Sequence, residues 1–284
     1  MKKILITGAN SYIGTSFEKY IKENYPDEYV VDTVDMIDGT WREMDFSNYD
    51  CVFHVAGIAH QQETKENAHL YYKINRDLAI ETAQKAKADG AKQFVFLSSM
   101  SVYGMDTGII TKETVPNPKS NYGKSKLEAE EGLVALVSEN FKVCTIRPPM
   151  VYGKGCKGNF QTVVKIVKKS PVFPKIKNQR SMIYIDNLNN FVRLCIDHEL
   201  CGVYFPQNKE YVRTVDMARI IAAQLEKKRY FSVMLGWGVF ILRPFVSVAK
   251  KGFGTLIYKD MESFDFCYCN TDNKESFEES MRGK

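Results

Sequence analysis

Lys3-Ile4-Leu5-Ile6-Thr7-Gly8-Ala9-Asn10-Ser11-Tyr12-Ile13-Gly14 is the stretch on which the reading of the fold turns. Ile4 to Ile6 reads as a short buried strand, Gly8 as a tight turn, and a helix opens near Tyr12. A strand, a glycine turn and a helix N-terminus together make an anion site. Exposed backbone N–H groups and the positive end of the helix dipole both face the turn. Gly8 lets the chain turn, and Gly14 lets the helix pack closely on the strand. Ser11 stands where a dinucleotide fingerprint carries its middle glycine. Its small hydroxyl still leaves room for a pyrophosphate, in a weaker motif. Gly8, Asn10, Ser11, Tyr12, Ile13 and Gly14 are the loop's nucleotide-binding candidates. Glycine turns also serve plain packing, so the choice depends on the rest of the chain.

Working outward, Tyr29-Val30-Val31-Asp32-Thr33-Val34-Asp35 reads as a second strand. An acid at its end, Asp35, accepts both ribose hydroxyls of an adenosine and repels a 2′-phosphate, which favours NAD over NADP. The alternative is a solvated loop acid near Asp38. Cys51 to Gly57 is a buried strand whose small terminal residues, Val55-Ala56-Gly57, leave room for a flat ligand. His54 lies inside that apolar run and reads as a core histidine, whereas His60 stands in the loop beyond. Leu70 to Ala88 has helical periodicity, and Gly90 ends it. Gln93 to Ser99 is a further strand, ending in two serines.

Tyr122 and Lys126 lie four apart where helical pattern resumes, so they share one helix face. A lysine ammonium beside a phenol favours the phenolate and lowers its pKa toward working pH. Ser99, at a strand end, is placed to hydrogen-bond the same reacting oxygen. The plain alternative is a surface helix. Val143 to Ile146 is one more strand, followed by Arg147-Pro148-Pro149. The basic loop Gly153 to Asn159 is either a phosphate contact or a solvated turn. Helices follow over Phe160–Lys169, Asn187–His198 and Val215–Lys227. Strands alternating with helices predict a doubly wound parallel sheet with its strand ends, Gly8, Asp35, Val55 and Ser99, along one edge. The expected fold is α/β. Residues 1–150, with about 181–205 returning, form a Rossmann domain; 151–180 and 206–284 form a smaller substrate-binding region.

Composition narrows the function classes. The net charge of the 284 residues is +5, which suits an anionic small substrate and excludes a nucleic-acid footprint. Seven scattered cysteines read as cytoplasmic free thiols, and Cys267-x-Cys269 has no second ligand pair for a metal. A chain that runs from Met1 straight into a strand is expected to carry no signal peptide. Phe231 to Ala249 is apolar and flanked by lysines, but Gly236, Gly238 and Arg243-Pro244 interrupt it. A buried helix pair is expected there, with membrane contact through 231–249 as the alternative.

Read together, these pieces resemble the extended short-chain dehydrogenase/reductase family, in its NAD-dependent epimerase/dehydratase, sugar-nucleotide branch. The resemblance runs from Lys3 to about Phe205. It is carried by Thr7-Gly8 to Gly14, Asp45-Phe46, His54-Val55-Ala56-Gly57, Asn75, Ser98-Ser99-Met100-Ser101-Val102-Tyr103-Gly104, Tyr122-Gly123-Lys124-Ser125-Lys126, Arg147-Pro148 and Arg180 to Asp186. It implies that Tyr122 is the acid/base, that Lys126 binds the nicotinamide ribose and tunes Tyr122, and that Ser99 holds the reacting oxygen. It places Asp45-Phe46 against the adenine, Val55-Ala56-Gly57 along the cofactor, and Asn75 and Pro149 among the cofactor contacts. Met100, Asn159 and Arg180 are implied on the substrate side, Arg180 pairing with the diphosphate.

Two departures bear on function. Dehydratases of this branch carry an Asp-Glu pair after the triad Ser/Thr. Met100 and Ser101 stand there, which argues against a 4,6-dehydratase. The branch often has Asn two residues after Arg-Pro; Met150 stands there, and Asn159 is the candidate replacement. The implied activity is epimerisation of a nucleotide-diphosphate sugar through NAD, with an NAD(P)H-dependent keto-reductase and a non-catalytic dinucleotide sensor as alternatives. A homodimer is a further expectation.

Overall fold

Ile4, Leu5, Ile6 and Thr7 are buried on the strand that the opening sequence predicts, β1 (Lys2–Thr7). The structure is a computed structural model that describes residues 1–59, 61–242, 252–261 and 264–282. His60 and residues 243–249 of the apolar segment lie outside the described residues. From β1 the chain turns into α1 (Tyr12–Asn24), then β2 (Tyr29–Val34) and β3 (Cys51–His54). A four-residue turn of helix, α2 (Ala68–Tyr71), runs through a π-helical stretch, Tyr72–Asp77, into α3 (Leu78–Asp89). β4 (Gln93–Leu97), the 3₁₀ turn Met100–Tyr103, β5 (Gly108–Ile110), α4 (Asn121–Val134) and β6 (Lys142–Ile146) follow. Next come β7 (Met150–Tyr152), α5 (Asn159–Lys169), β8 (Val172–Pro174), β9 (Met182–Tyr184), α6 (Ile185–Asp197) and β10 (Gly202–Tyr204). The last elements are α7 (Thr214–Gln224), β11 (Tyr230–Ser232), α8 (Val233–Leu242), β12 (Leu256–Tyr258) and α9 (Asn273–Met281).

The chain divides into two units. The first comprises Met1–Gly104, Val115–Pro148 and Leu188–Pro206. Its six-stranded sheet has the order β10-β6-β4-β3-β1-β2, and every pairing is parallel. Strand order reverses at β1, between β2 and β3, which is where ligands bind in such sheets. Parallel strands covered by helices are apolar on both faces, and β3 and β4 are buried at every position. One side of the core packs Trp41, Phe46, Phe94, Phe96, Leu133 and Phe141. On the other, Phe17 of α1 meets Phe53 edge-on at 5.2 Å. Tyr29 donates to Asp197 at 2.6 Å, which Arg193 also pairs at 2.7 Å, so α6 is pinned to this unit by polar contacts as well as burial.

The second unit comprises Met105–Thr114, Pro149–Asn187 and Gln207–Lys284. Three parallel strand pairs build it: β7 with β9, β8 with β11, and β5 with β12. The last pairing assigns Met105–Thr114 here rather than to the Rossmann unit, correcting the division expected from sequence; only a strand more than a hundred residues away reveals it. Tyr152 and Phe277 stack at 4.8 Å, and Asn208 donates to the Tyr152 hydroxyl at 2.9 Å.

Two more local readings change. The single helix expected over Leu70–Ala88 contains the π stretch, which its apolar periodicity does not announce. The apolar segment is not a buried helix pair in its described part. Gly236 of α8 lies where an added Cβ would come within 2.4 Å of the Lys175 carbonyl, so that face packs on unit-two backbone. The opposite face is open, with Met234 86% and Trp237 66% exposed.

Candidate active site

Gly8 has φ +109° and Asn10 φ +64°, so the turn after β1 uses left-handed backbone twice. A Cβ on Gly8 would sit 2.7 Å from the Ala56 nitrogen, so only glycine lets the turn approach the end of β3. Ser11 is the N-cap of α1, its hydroxyl accepting from the Gly14 N–H at 3.1 Å. A Cβ on Gly14 would meet that same hydroxyl at 2.6 Å. The serine that weakens the glycine motif therefore stabilises the helix end facing the turn. Tyr12 and Ile13 form its first turn.

At the neighbouring strand ends, Asp35 follows β2 and accepts from the Ile37 N–H at 2.8 Å. Asp45 accepts from the Ser47 N–H and hydroxyl, each at 2.8 Å, bonds that hold its carboxyl below the usual range. The Phe46 side chain lies in the core and its N–H donates to Asp89 at 2.9 Å. Asp45 is therefore the exposed member of the pair expected against an adenine, and the Phe46 ring is not presented outward. Val55 is half-buried and Ala56 buried, both donating backbone N–H to Thr7.

Gly57, Asn75 and Lys126 come together. A Cβ on Gly57 would lie 2.8 Å from Asn75 Oδ1 and 3.5 Å from Lys126 Nζ. Asn75, on the π stretch, is fully buried; it accepts from the Ile58 N–H at 2.8 Å and donates to the Ser125 hydroxyl at 3.2 Å. Single π turns recur at functional sites because the extra residue re-aims a side chain. Here it fixes the loop after β3 to α4.

Ser99 caps the 3₁₀ turn after β4, its hydroxyl accepting from the Ser101 N–H at 3.1 Å. Tyr122 sits in the first turn of α4, whose N-terminus is tied down twice. Ser120 accepts from the Gly123 N–H at 3.1 Å, and the Glu63 carboxylate accepts from the N–H groups of Asn121 and Tyr122 at 2.9 and 3.1 Å. Gly123 brings this helix end against the Ser99 turn, since a Cβ there would lie 2.6 Å from the Ser101 carbonyl. Burial pushes the Tyr122 phenol up, and its hydrogen bond with Ser99 pulls the other way. The phenol is held above its ordinary value, not below it, correcting the expectation of a phenolate favoured by Lys126. The ammonium donates instead to the Leu97 carbonyl at 2.8 Å and lies 4.5 Å from the centre of the Phe96 ring. Burial lowers the Lys126 pKa to about 8, against a raising contribution from Glu130.

Beneath the serines lies a buried network the sequence did not announce. Glu130 accepts from the Ser98 hydroxyl and from Arg147 Nε at 3.1 Å, and Arg147 Nη1 donates to the Tyr103 hydroxyl at 2.8 Å. Arg147 of the Arg-Pro pair thus braces the end of β4. Glu63 and Glu130 were missed because each acts across more than one element; Ser120, a cap residue just before a helical pattern, left a local signal.

Met100 is buried, its N–H donating to the Pro148 carbonyl at 2.9 Å. His54 is the core histidine expected: its Nδ1 meets the Thr7 hydroxyl at 2.8 Å, Nε2 has no hydrogen-bond partner among the described residues, and burial drives its pKa down to about 3. In the second unit, Pro149 is buried and Asn159 is the exposed first residue of α5. Arg180 is buried, donates to the Gly254 carbonyl at 3.0 Å, and its Nε has no partner among the described residues. Among the described residues no group of three His, Cys, Asp or Glu is placed to hold a metal.

A six-stranded parallel sheet with a capped glycine turn at its switch point, and Ser, Tyr and Lys at the neighbouring strand end, defines a Rossmann enzyme of the extended short-chain dehydrogenase/reductase class. The chain belongs to the NAD dependent epimerase/dehydratase family, whose model matches residues 4–203. It is 33% identical over 251 residues to a UDP-glucose 4-epimerase of Vibrio cholerae, covering 80% of this chain and 76% of that one. The fold is shared with a UDP-glucuronic acid 4-epimerase from Bacillus cereus solved with NAD: TM-score 0.74 and 18% identity, over 98% of this chain and 97% of that one. It is also shared with a dTDP-4-dehydrorhamnose reductase from Bacillus anthracis solved with NADP: TM-score 0.68 and 21% identity, over 99% and 98%.

Proposed function

We propose that this protein is an NAD-dependent 4-epimerase of a nucleotide-diphosphate sugar, acting in the cytoplasm. The observation that carries the reading is the convergence of Ser99, Tyr122 and Lys126 at the end of β4, beside Gly57 after β3 and Asn75 of the π stretch. The residues fit a dinucleotide. Added Cβ atoms at Gly8 and Gly57 would collide with neighbouring groups, so both strand ends stay open to close approach, and the Ser11-capped helix end faces the same edge. Gly8, Asn10, Ser11, Tyr12, Ile13 and Gly14 would hold the pyrophosphate. Asp35 would hold the adenosine ribose, Asp45 the adenine, and Lys126 with Asn75 the nicotinamide side.

Bound NAD supplies a hydride acceptor and donor and, when oxidised, a positively charged ring. The protein's part is proton transfer. Tyr122 takes the proton from a sugar hydroxyl and returns it, while Ser99 holds that oxygen. Since burial favours the neutral phenol, Tyr122 needs positive charge nearby to act as a base, and buried Lys126 keeps that charge only below about pH 8. Arg180, whose Nε has no partner among the described residues, is the residue proposed for the diphosphate. Seven free cysteines support a reducing compartment. The Vibrio relative favours epimerase over reductase; the reductase fold neighbour keeps one-way reduction as the competing outcome.

Tyr122→Phe is the test. It should lower kcat at least ~100-fold while the amount of bound NAD stays unchanged, since general acid–base catalysis contributes ~100- to 10,000-fold. Full turnover in that variant contradicts the proposal. Wild-type protein should convert its UDP-sugar with no net production of NADH; stoichiometric consumption of NADPH assigns it to the reductases.

A further inference from the structure

Helix α8 shows water a face that a soluble helix would bury. Tyr230 is 70% exposed, Met234 86%, Trp237 66% and Ile241 63%, with Val233 beside them at 53%. Met234, Trp237 and Ile241 follow the spacing of one helix face. The reverse side is anchored through Gly236 on the Lys175 backbone and through the pairing of β11 with β8.

The segments that pack against this helix are rich in positive charge, with Glu226 and the Arg219–Asp216 pair at their border. Residues 154–185 and 227–242 hold eleven Lys and Arg and no Asp or Glu. The whole chain is +5, so everything outside those two stretches sums to −6. The stretches meet in space: Lys227 donates to the Lys168 carbonyl at 3.2 Å, and Arg229 to the Val167 carbonyl at 2.6 Å. Lys168, Lys169, Lys175, Lys227 and Lys228 are exposed.

We propose that the exposed face of α8, with the lysines of the segments beside it, seats the second unit on an anionic lipid surface. An apolar face with exposed lysines on the neighbouring segments matches the headgroup–acyl boundary of a bilayer containing acidic lipids. Trp237 and Tyr230 are the residue types that settle at that boundary, with an apolar ring inward and a polar tip in water. The helix lies on the bilayer and does not cross it. Its ten residues span about 15 Å, half of a ~30 Å hydrocarbon core, and no described helix is long and apolar enough to span. A second copy of this chain pairing through the same face fits less well, because it would bring like charge against like charge.

Sedimentation of the full chain with phosphatidylglycerol/phosphatidylcholine vesicles tests this. The protein should pellet with mixed vesicles at 0.1 M salt, and at least ~10-fold less with phosphatidylcholine alone or at 1 M salt. Trp237 reports independently, because Trp41 is fully buried; its emission should shift to the blue on vesicle addition and be quenched by brominated lipid. Met234→Ser with Trp237→Ser should reduce partition at least ~10-fold through lost apolar burial. Lys169→Glu with Lys228→Glu should do the same through charge. All four positions are exposed, so both double variants should keep the wild-type Tm. Failure to pellet with acidic vesicles, or pelleting that survives both pairs of substitutions, overturns the proposal. A dimer that the first pair disrupts, in a protein that ignores vesicles, assigns the face to a second copy instead.

Discussion

Lys126 is a cation kept almost dry, and that has a measurable consequence. Its folded pKa, about 8, lies below that of the unfolded chain, so between roughly pH 8 and 10.5 the unfolded state binds the extra proton and stability rises with pH. At pH 7 the buried charge costs about 3 kcal/mol by the same linkage. Lys126→Met should therefore gain on the wild type in urea unfolding at pH 7, and lose about that advantage by pH 10.5; a pH-independent difference contradicts the burial argument. His54 has the same sign in another window. Its pKa near 3 means that stability is lost as pH falls through 6.5 toward 3, and His54→Leu should flatten that limb. That Tyr122 and Lys126 share one helix was legible from their four-residue spacing. Their electrostatics were not, because spacing places two side chains on one face but does not show that the ammonium turns to the Leu97 carbonyl.

The helix α4 acts as a rigid mount for Tyr122, and its N-terminus is where the sequence and the fold meet. Glu63 reaches it from the loop after β3, satisfying two N–H groups that a helix end leaves open. Glu63→Ala should cost about 1 kcal/mol of stability, the worth of a cap. It should also lower kcat more than it raises KM, because the Tyr122 backbone loses its support; Glu63→Gln, which keeps an acceptor, should recover most of kcat. Unchanged kcat in Glu63→Ala would show that Ser120 alone holds the helix. Glu130→Ala, by contrast, strands Arg147 with its charge buried and should cost about 3–5 kcal/mol. The elements of the first unit were readable because parallel strands are continuous apolar runs and glycines mark their turns. The π stretch at Tyr72–Asp77 was not, since one extra residue per turn leaves the apolar pattern of the flanking helix almost unchanged.

At the scale of the molecule, the alternation of strand and helix is a local signal and pointed to a parallel sheet with its strand ends along one edge; the reversal of order at β1 is visible only in the strand pairings. The make-up of the second unit was less legible. Its strands are three residues long and pair across large separations, as β5 does with β12. Exposure of α8 was hidden because an apolar run reads alike whether it faces a core or a lipid surface. The central claim, that the switch-point edge closes a redox cycle on a retained dinucleotide, is tested most directly by purifying the protein without added cofactor, denaturing it and weighing what it releases. The account predicts NAD, close to one per chain, with loss of that nucleotide in Gly8→Ala, where a Cβ meets the Ala56 backbone. An empty protein that takes up NADPH and consumes it once per turnover would contradict both the closed cycle and the role given to Asp35.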